Sequence, residues 1–210
     1  MRRLLLGTLG LLFAAPFAFS GDLFSFGIKG GVPLNDAFNT ATTGQINYLS
    51  NTKRFVVGPE FDVNLPAGFA VEVDALYRRL DFESNSNLST FEHNATTSNA
   101  WDVPLLVKWR FAPMGPVRPY VGGGATFRGL TNVHQVTTFF TGNALTTTGS
   151  PSELNDRFVT GFTAVAGLQL FKHVAPEIRY TRWGWDSFRD PGSAFRSNPD
   201  QWDFMLGVTF

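Results

Sequence analysis

The stretch WDFMLGVTF, residues 202–210, decides how this chain folds, because it places a large apolar side chain at every second position. Successive side chains of a β-strand point to opposite faces. One face of this strand would carry Trp202, Phe204, Leu206, Val208 and Phe210. The other would carry Asp203, Met205, Gly207 and Thr209. The pattern is typical of a strand that touches lipid on one side.

Seven earlier stretches alternate in the same way, and no stretch shows a convincing amphipathic helix. The eight runs are 24–32, 55–65, 69–82, 100–111, 118–128, 158–171, 174–183 and 201–210. Most are close to the ~9 to 11 residues with which a tilted strand crosses a bilayer. Charges interrupt every apolar run after the N-terminal segment, so strands and not helices are expected to cross the membrane.

The N-terminal segment is predicted to be a secretory signal peptide covering residues 1–20. Arg2 and Arg3 are followed by a largely apolar stretch, and small residues precede a cleavage site after Ser20. A membrane-spanning helix is the alternative, but about 15 apolar residues interrupted by Pro16 fall short of the ~20 required. Residues 21–210 are then expected to form one barrel domain.

Composition excludes several classes of protein. The chain has no cysteine and therefore no disulfide. Its 17 basic residues become 15 when Arg2 and Arg3 are removed, against 17 acidic residues, a net charge near −2. So small a charge does not predict a nucleic acid partner.

The connections between the runs alternate between short and long. Those at 66–68, 112–117 and 171–173 are tight, whereas 33–54, 83–99, 129–157 and 184–200 are long and rich in Asn, Thr, Ser and Gly. Outer-membrane barrels have short periplasmic turns and longer extracellular loops, with both chain ends on the periplasmic side. The four long connections are therefore predicted to be solvated extracellular loops and the least ordered part of the molecule.

Side-chain size indicates which face of the barrel is inside. Most strand glycines share the polar phase, while nearly all strand Phe and Trp share the apolar phase. The interior of an eight-stranded barrel is just wide enough to be filled by side chains, so the small and polar phase is predicted to face inward. The predicted luminal charge network comprises Lys29, Glu60, Asp62, Glu72, Asp74, Arg78, Asp102, Lys108, Arg110, Arg118, Arg128, Glu177, Arg179 and Asp203. A salt-bridged structural plug is favoured for this network over a narrow gated pore.

Aromatic residues are expected to form girdles at the two membrane interfaces. The periplasmic girdle is predicted to contain Phe69, Phe111, Phe171 and Phe210. The outer girdle is predicted to contain Phe55, Phe82, Trp101, Phe127, Phe158, Trp183 and Trp202. Pro59 interrupts the second run and predicts a bulge or locally open pairing, because proline has no N–H for the strand ladder.

Four segments resemble a known family: RPYVGGGATF (118–127), TAVAGLQLF (163–171), PEIRYTRWGW (176–185) and WDFMLGVTF (202–210). They are similar to the small outer-membrane β-barrel superfamily that includes the OmpA transmembrane domain and the opacity-type surface proteins. The resemblance implies an all-β, eight-stranded antiparallel up-and-down barrel in the bacterial outer membrane. It also implies that Phe210 is the terminal aromatic recognised by the barrel-assembly machinery. Because the chain stops at the eighth strand, no peptidoglycan-binding domain of the OmpA kind is expected.

No catalytic, cofactor-binding or metal-binding residue is predicted. Neither His93 nor His134 has a serine two residues away, as the lipid A deacylases of this superfamily would require, and His173 lies in a periplasmic turn. Glu92, His93 and Asp36 do not have the spacing of a metal-ligand set. The glycines at 122–124 lie within a strand and are not a phosphate-binding loop.

Basic residues near the outer rim suggest contact with lipopolysaccharide phosphates, although ordinary solvated charges are at least as compatible with their positions. They are Lys53, Arg54, Arg78, Arg79, Arg157, Arg182, Arg189 and Arg196. The function expected from the sequence is a structural or adhesin-like one, with an unknown extracellular ligand held by the long loops. A small gated pore is the second hypothesis and a lipid A-modifying enzyme the third. A soluble lipocalin-like barrel or a sandwich is the alternative fold.

Overall fold

A computed structural model describes residues 23–40, 42–43, 46–86, 91–111, 115–141, 143–171, 173–190, 192 and 195–210. The predicted signal peptide, residues 1–20, lies outside the described residues and stays a prediction. Within the described part of the chain, no helix is long and apolar enough to cross a membrane.

Eight antiparallel strands close into a ring. They are β1 (Phe24–Pro33), β2 (Val56–Asn64), β3 (Phe69–Asp74 continued as Leu76–Ser86), β4 (Phe91–Arg110), β5 (Val117–Thr141), β6 (Phe158–Leu170), β7 (Val174–Trp183) and β8 (Asp200–Thr209). Each strand pairs with the next along the chain, and β8 returns to pair with β1, Gly27 opposite Thr209 and Pro33 opposite Asp203. The predicted eight-stranded up-and-down barrel is confirmed.

The barrel is apolar outside and polar inside, as the alternation predicted. On β8, Trp202 and Phe204 are 45% and 43% exposed, whereas Asp203 and Met205 are 4% and 0% exposed. Glycines make room for the interior groups: a Cβ added at Gly207 would lie 3.1 Å from Glu60 Oε2 and 3.4 Å from Lys29 Cε. The small interior positions therefore leave space for charged side chains from other strands.

The ladder between β2 and β3 is interrupted at Pro59. Glu60 pairs with Asp74 and Val57 pairs with Tyr77, but β3 is broken at Ala75 between them. Ala75 N–H donates to the Pro59 carbonyl at 3.1 Å. Pro59 has no N–H with which to complete the pair. The expected locally open pairing at Pro59 is confirmed.

Strands β3, β4 and β5 continue far beyond the predicted runs. Much of the predicted loops at 83–99 and 129–157 is strand, with Ser86 of β3 opposite Glu92 of β4 and Phe91 opposite Phe140 of β5. The ladder uses backbone groups only, so an Asn/Thr/Ser-rich segment can extend it, and β-branched threonine favours strands. A shift in the strand register between Thr97 and Asn99 marks the start of the extension.

Two short strands widen this extension on the extracellular side. Ile46–Ser50 pairs with β3, and Asn143–Gly149 pairs with β5. We call the set formed by these two strands and residues 80–86, 91–100 and 130–141 the extracellular sheet. It projects from one wall of the barrel and is the largest structured feature outside it among the described residues.

Candidate functional site

The inner ion cluster is centred on Lys29 of β1, whose side chain is fully buried. Its Nζ lies 3.1 Å from Glu60 on β2, 2.6 Å from Glu72 and 3.6 Å from Asp74 on β3, and 3.4 Å from Glu177 on β7. The carboxylates of Glu60, Glu72 and Asp74 lie within 4.8 Å of one another, a separation that would suit a metal ion. The Lys29 ammonium group lies among them and acts as their cation.

Two further basic residues complete the inner cluster. Arg179 lies 2.6 Å from Glu72, 2.7 Å from Asp74 and 2.5 Å from Glu177. Lys108 of β4 pairs with Glu72 and lies 3.5 Å from Glu177, and its Nζ is 4.7 Å from the centre of the Tyr120 ring. The Tyr120 hydroxyl donates to Glu177 at 2.6 Å. Six of the eight strands are thereby joined across the lumen.

The outer ion cluster lies nearer the extracellular mouth. Asp102 forms an ion pair with Arg78 at 2.8 Å and accepts a hydrogen bond from Arg128 at 2.6 Å, and Arg78 also lies 3.0 Å from Asp203. Gln201 accepts from Arg128 at 2.8 Å and donates to Asp203 at 2.6 Å. The Arg128 guanidinium also stacks over the Trp183 ring at 4.0 Å. Two cations and two carboxylates balance within this cluster.

Twelve of the fourteen predicted luminal charges are buried, and the remaining two, Arg110 and Arg118, are half-buried at the periplasmic end. Arg110 donates to Asn64 at 2.7 Å and lies 3.8 Å from Asp62. Arg118 Nε donates to the Gly115 carbonyl at 3.0 Å, and no carboxylate among the described residues lies within ion-pair distance of it. Arg118 thus faces inward but does not join either cluster.

An aromatic plug packs at the extracellular end of the barrel, beyond most of the outer cluster. Its buried members are Phe38, Tyr48, Leu80, Phe82, Ala100, Leu130, Phe188 and Phe195. The Phe195 ring is 4.2 Å from that of Tyr48, 4.8 Å from Phe82 and 5.5 Å from Phe38. A short strand pair, Phe38–Asn39 with Arg196–Ser197, ties the first long connection to the last.

The plug corrects the expectation that the connections at 33–54 and 184–200 are wholly solvated. Phe38, Phe188 and Phe195 are at most 3% exposed, because these loops carry aromatic side chains that gain by leaving water. The Tyr48 hydroxyl donates to Asp190 at 3.0 Å. Burial, together with the Glu153 and Asp190 carboxylates, raises the pKa of Tyr48, so this phenol stays protonated.

Two predicted girdle residues face inward instead. Phe82 is 1% exposed and belongs to the plug, and Trp183 is 5% exposed and stacks on Arg128. The signal was present in the sequence: Phe82 is in phase with Arg78 on β3, and Trp183 with Arg179 on β7. The other predicted girdle residues are 37% to 79% exposed on the outer surface.

Seven of the eight basic residues predicted at the outer rim are exposed, and Arg78 is instead part of the outer ion cluster. Arg79 pairs with Asp81 at 3.1 Å, and Arg182 pairs with Asp200 at 2.6 Å. These two arginines are therefore partly neutralised by neighbouring carboxylates.

The three histidines contact amide or carbonyl oxygens. His93 Nδ1 lies 2.7 Å from Asn85 Oδ1, His134 Nδ1 lies 3.0 Å from the Asn132 carbonyl, and His173 Nδ1 lies 3.1 Å from the Thr209 carbonyl. Among the described residues, no hydrogen bond joins a histidine to a serine hydroxyl. The described residues therefore show no serine nucleophile hydrogen-bonded to a histidine base.

A closed antiparallel barrel with an apolar exterior, girdles of exposed aromatics and a charged interior defines a transmembrane β-barrel. The chain belongs to the outer membrane protein beta-barrel domain family, whose sequence pattern matches residues 16–184. It is accordingly an integral protein of the bacterial outer membrane.

Solved outer-membrane proteins have similar folds. The outer membrane protein OprG from Pseudomonas aeruginosa is 13% identical with a TM-score of 0.47, over 89% of this chain and 94% of that one. The attachment invasion locus protein Ail of Yersinia pestis is 13% identical with a TM-score of 0.42, over 89% and 98% of the two chains. Neisserial surface protein A is 14% identical with a TM-score of 0.38, over 89% and 97%. No curated protein sequence matches the chain.

Proposed function

We propose that this protein is a non-conducting surface barrel with a structural and adhesin-like role, and that the extracellular sheet makes its contacts. The observation that carries the proposal is the double closure of the lumen. The two ion clusters fill the barrel with paired side chains, and the aromatic plug covers its outer mouth. A barrel of eight strands leaves little space for a continuous channel beside such side chains.

The extracellular sheet carries exposed apolar side chains far from the aromatic girdles. Phe91 and Phe140 are 45% and 50% exposed, and their ring centres are 5.3 Å apart. Leu145, on the adjoining short strand, is 60% exposed. Phe91 lies ten residues before the girdle residue Trp101 on the same strand, or roughly 33 Å along it. An exposed aromatic pair so far from the hydrocarbon supports a role in contacting a partner.

Replacing both aromatic residues, Phe91→Ser with Phe140→Ser, is expected to lower adhesion of whole cells several-fold. The substitutions would remove the apolar area that a partner buries. Both side chains lie outside the barrel interior, so the barrel itself should be unaffected. Adhesion would be counted on epithelial monolayers and on hydrophobic polystyrene, at equal surface amounts of protein.

The matched control changes two threonines of the adjoining short strand, Thr146→Ser with Thr148→Ser, and should leave adhesion unchanged. Shortening each of the four long connections in turn extends the test to the other loops. Adhesion that survives the aromatic exchange and every shortened connection would contradict a loop-borne function.

The small pore is the second hypothesis, and its discriminating measurement is conductance. Purified protein in planar bilayers is expected to give no reproducible openings, because both ion clusters and the plug would have to move to admit ions. An open porin reconstituted in the same bilayers provides the positive control. Reproducible openings of the unmodified protein would count against the closed barrel and in favour of a gated pore.

Two further parts of the proposal concern export and assembly. A signal peptide at residues 1–20 would carry the chain across the inner membrane. Phe210 would then serve as the recognition residue for the barrel-assembly machinery; the residue is 79% exposed and its N–H donates to the Phe26 carbonyl at 2.8 Å. Lipid A modification is not supported, because the histidine contacts described above do not resemble a catalytic pair.

A further inference from the structure

A small pocket opens at the outer end of the barrel, where β1 leaves the wall and β2 enters it. Its lining includes Asn35, Thr52, Lys53, Arg54, Arg78 and Gln201. Arg78 and Gln201 belong to the outer ion cluster and are 4% and 6% exposed. They form the floor of the pocket, whereas Lys53 and Arg54 are exposed at its rim.

Hydrogen bonds to the barrel hold both sides of this pocket in place. Asn35 donates to the Asp200 carbonyl at 2.6 Å and accepts from the Trp202 N–H at 2.8 Å. Thr52 donates to the Asp81 carbonyl at 3.2 Å, and the Asn51 N–H donates to the same oxygen at 2.9 Å. Both walls of the pocket are therefore fixed to the barrel, and its interior has room for little more than a water molecule, so a larger ligand would bind at its rim.

The charge of the pocket is positive. Lys53 and Arg54 lie on the rim, and no carboxylate among the described residues is within 4.0 Å of either. The one acidic residue of the lining, Asp36, accepts a hydrogen bond from Ser50 at 2.5 Å. Arg78 is already paired with two carboxylates. Two cationic side chains thus remain available for an anion.

The position of the pocket indicates where that anion comes from. Lys53 and Arg54 directly precede Phe55, which is 40% exposed in the outer girdle, and Asn35 is bonded to Trp202 of the same girdle. Girdle aromatics lie at the level of the lipid headgroups. Guanidinium and ammonium groups at that level match phosphate oxygens, the guanidinium in a bidentate manner.

We propose that the rim of this pocket binds a phosphate group of an anionic outer-leaflet lipid of the lipopolysaccharide type, with Lys53 and Arg54 as its ligands. The sequence suggested a wider set of basic rim residues as phosphate contacts, and the site reduces this set to Lys53 and Arg54. The proposal does not depend on the adhesin-like role. Arg79 and Arg182 are excluded from it because each is paired with its own carboxylate.

The test titrates lipid A into the full chain in neutral detergent and follows the unfolding midpoint by heat-dependent gel migration. Lipid A is expected to raise the midpoint of the unmodified protein, because a ligand of the folded state stabilises it. The double variant Lys53→Gln with Arg54→Gln should bind roughly tenfold more weakly or worse, since two charge-assisted hydrogen-bonding groups are lost. Without lipid its midpoint should equal that of the unmodified protein, because both side chains are exposed.

Three comparisons make the result decisive. The control Arg157→Gln with Arg189→Gln removes two exposed rim charges outside the pocket and should keep the full response. Dephosphorylated lipid A should give no response, and inorganic phosphate should give much less than lipid A. The phosphate site would be overturned if Arg157→Gln with Arg189→Gln weakened lipid A binding as much as the pocket variant does. It would also be overturned if dephosphorylated lipid A gave the full rise in the unfolding midpoint. Equal protection by inorganic phosphate would overturn the lipid as its source.

Discussion

Replacing Lys29 with methionine is expected to lower the free energy of unfolding by about 3 to 5 kcal/mol, the cost of removing one partner from a buried ion cluster. Four carboxylates lie within 3.6 Å of the Lys29 ammonium group, and the side chain is fully buried. Methionine has a similar length but no charge, so these carboxylates would face one another with only Lys108 and Arg179 to balance them. Unfolding by denaturant in lipid vesicles would measure the change.

A second substitution separates charge imbalance from altered packing. Adding Glu72→Gln to Lys29→Met restores the original difference between acidic and basic groups and should recover part of the lost stability. The exposed pair Arg79–Asp81 serves as the control, where Arg79→Gln should change stability by less than about 1 kcal/mol. If Lys29→Met costs no more than Arg79→Gln, the inner cluster does not stabilise the barrel.

Replacing Phe195 with alanine is expected to loosen the aromatic plug at a local cost of about 3 to 5 kcal/mol, the usual range for a buried phenylalanine. Phe195 is fully buried and its ring packs against Phe38, Tyr48 and Phe82. The loops it holds should become accessible to protease. The barrel should remain closed, because its strand ladder does not depend on the plug. Limited proteolysis of intact vesicles, read beside heat-dependent gel migration, would measure both effects.

The control for the plug is Phe140→Ala, since Phe140 is 50% exposed and lies outside the plug. Its proteolysis pattern in the first long connection and the last should match that of the unmodified protein. Rapid cleavage in both variants, or in neither, would show that Phe195 does not hold the loops together.

Much of the fold could be read from side-chain alternation. The period of two, with lengths near those of membrane strands, predicted eight strands, and the separation of glycine from aromatics predicted which face is inside. The predictions that Phe82 and Trp183 lie in the outer girdle were wrong, because the position of a residue in the strand alternation, and not its aromatic character, decides which face it occupies. Phe82 and Trp183 each share the phase of luminal arginines, and strand geometry placed them inside accordingly.

The loops were less predictable for a different reason. Polar composition predicted solvated connections, yet β4 and β5 extend through much of that sequence, because ladder hydrogen bonds join backbone groups whatever the side chains are. The plug depends on four aromatic side chains in two connections that lie far apart in the sequence. Only their approach in space shows that they share one apolar cluster.

The sequence by itself determined the barrel, its inside-out polarity and the near balance of charge in its lumen, because these depend on local alternation and on residue size. Tertiary structure alone decided which charges meet. Lys29 and Glu72 lie on β1 and β3, which are not neighbours, and they meet only because the closed barrel sets the stagger of its strands. The positive pocket at the outer rim arose in the same way, since closure brings the start of β2 beside the outer ion cluster.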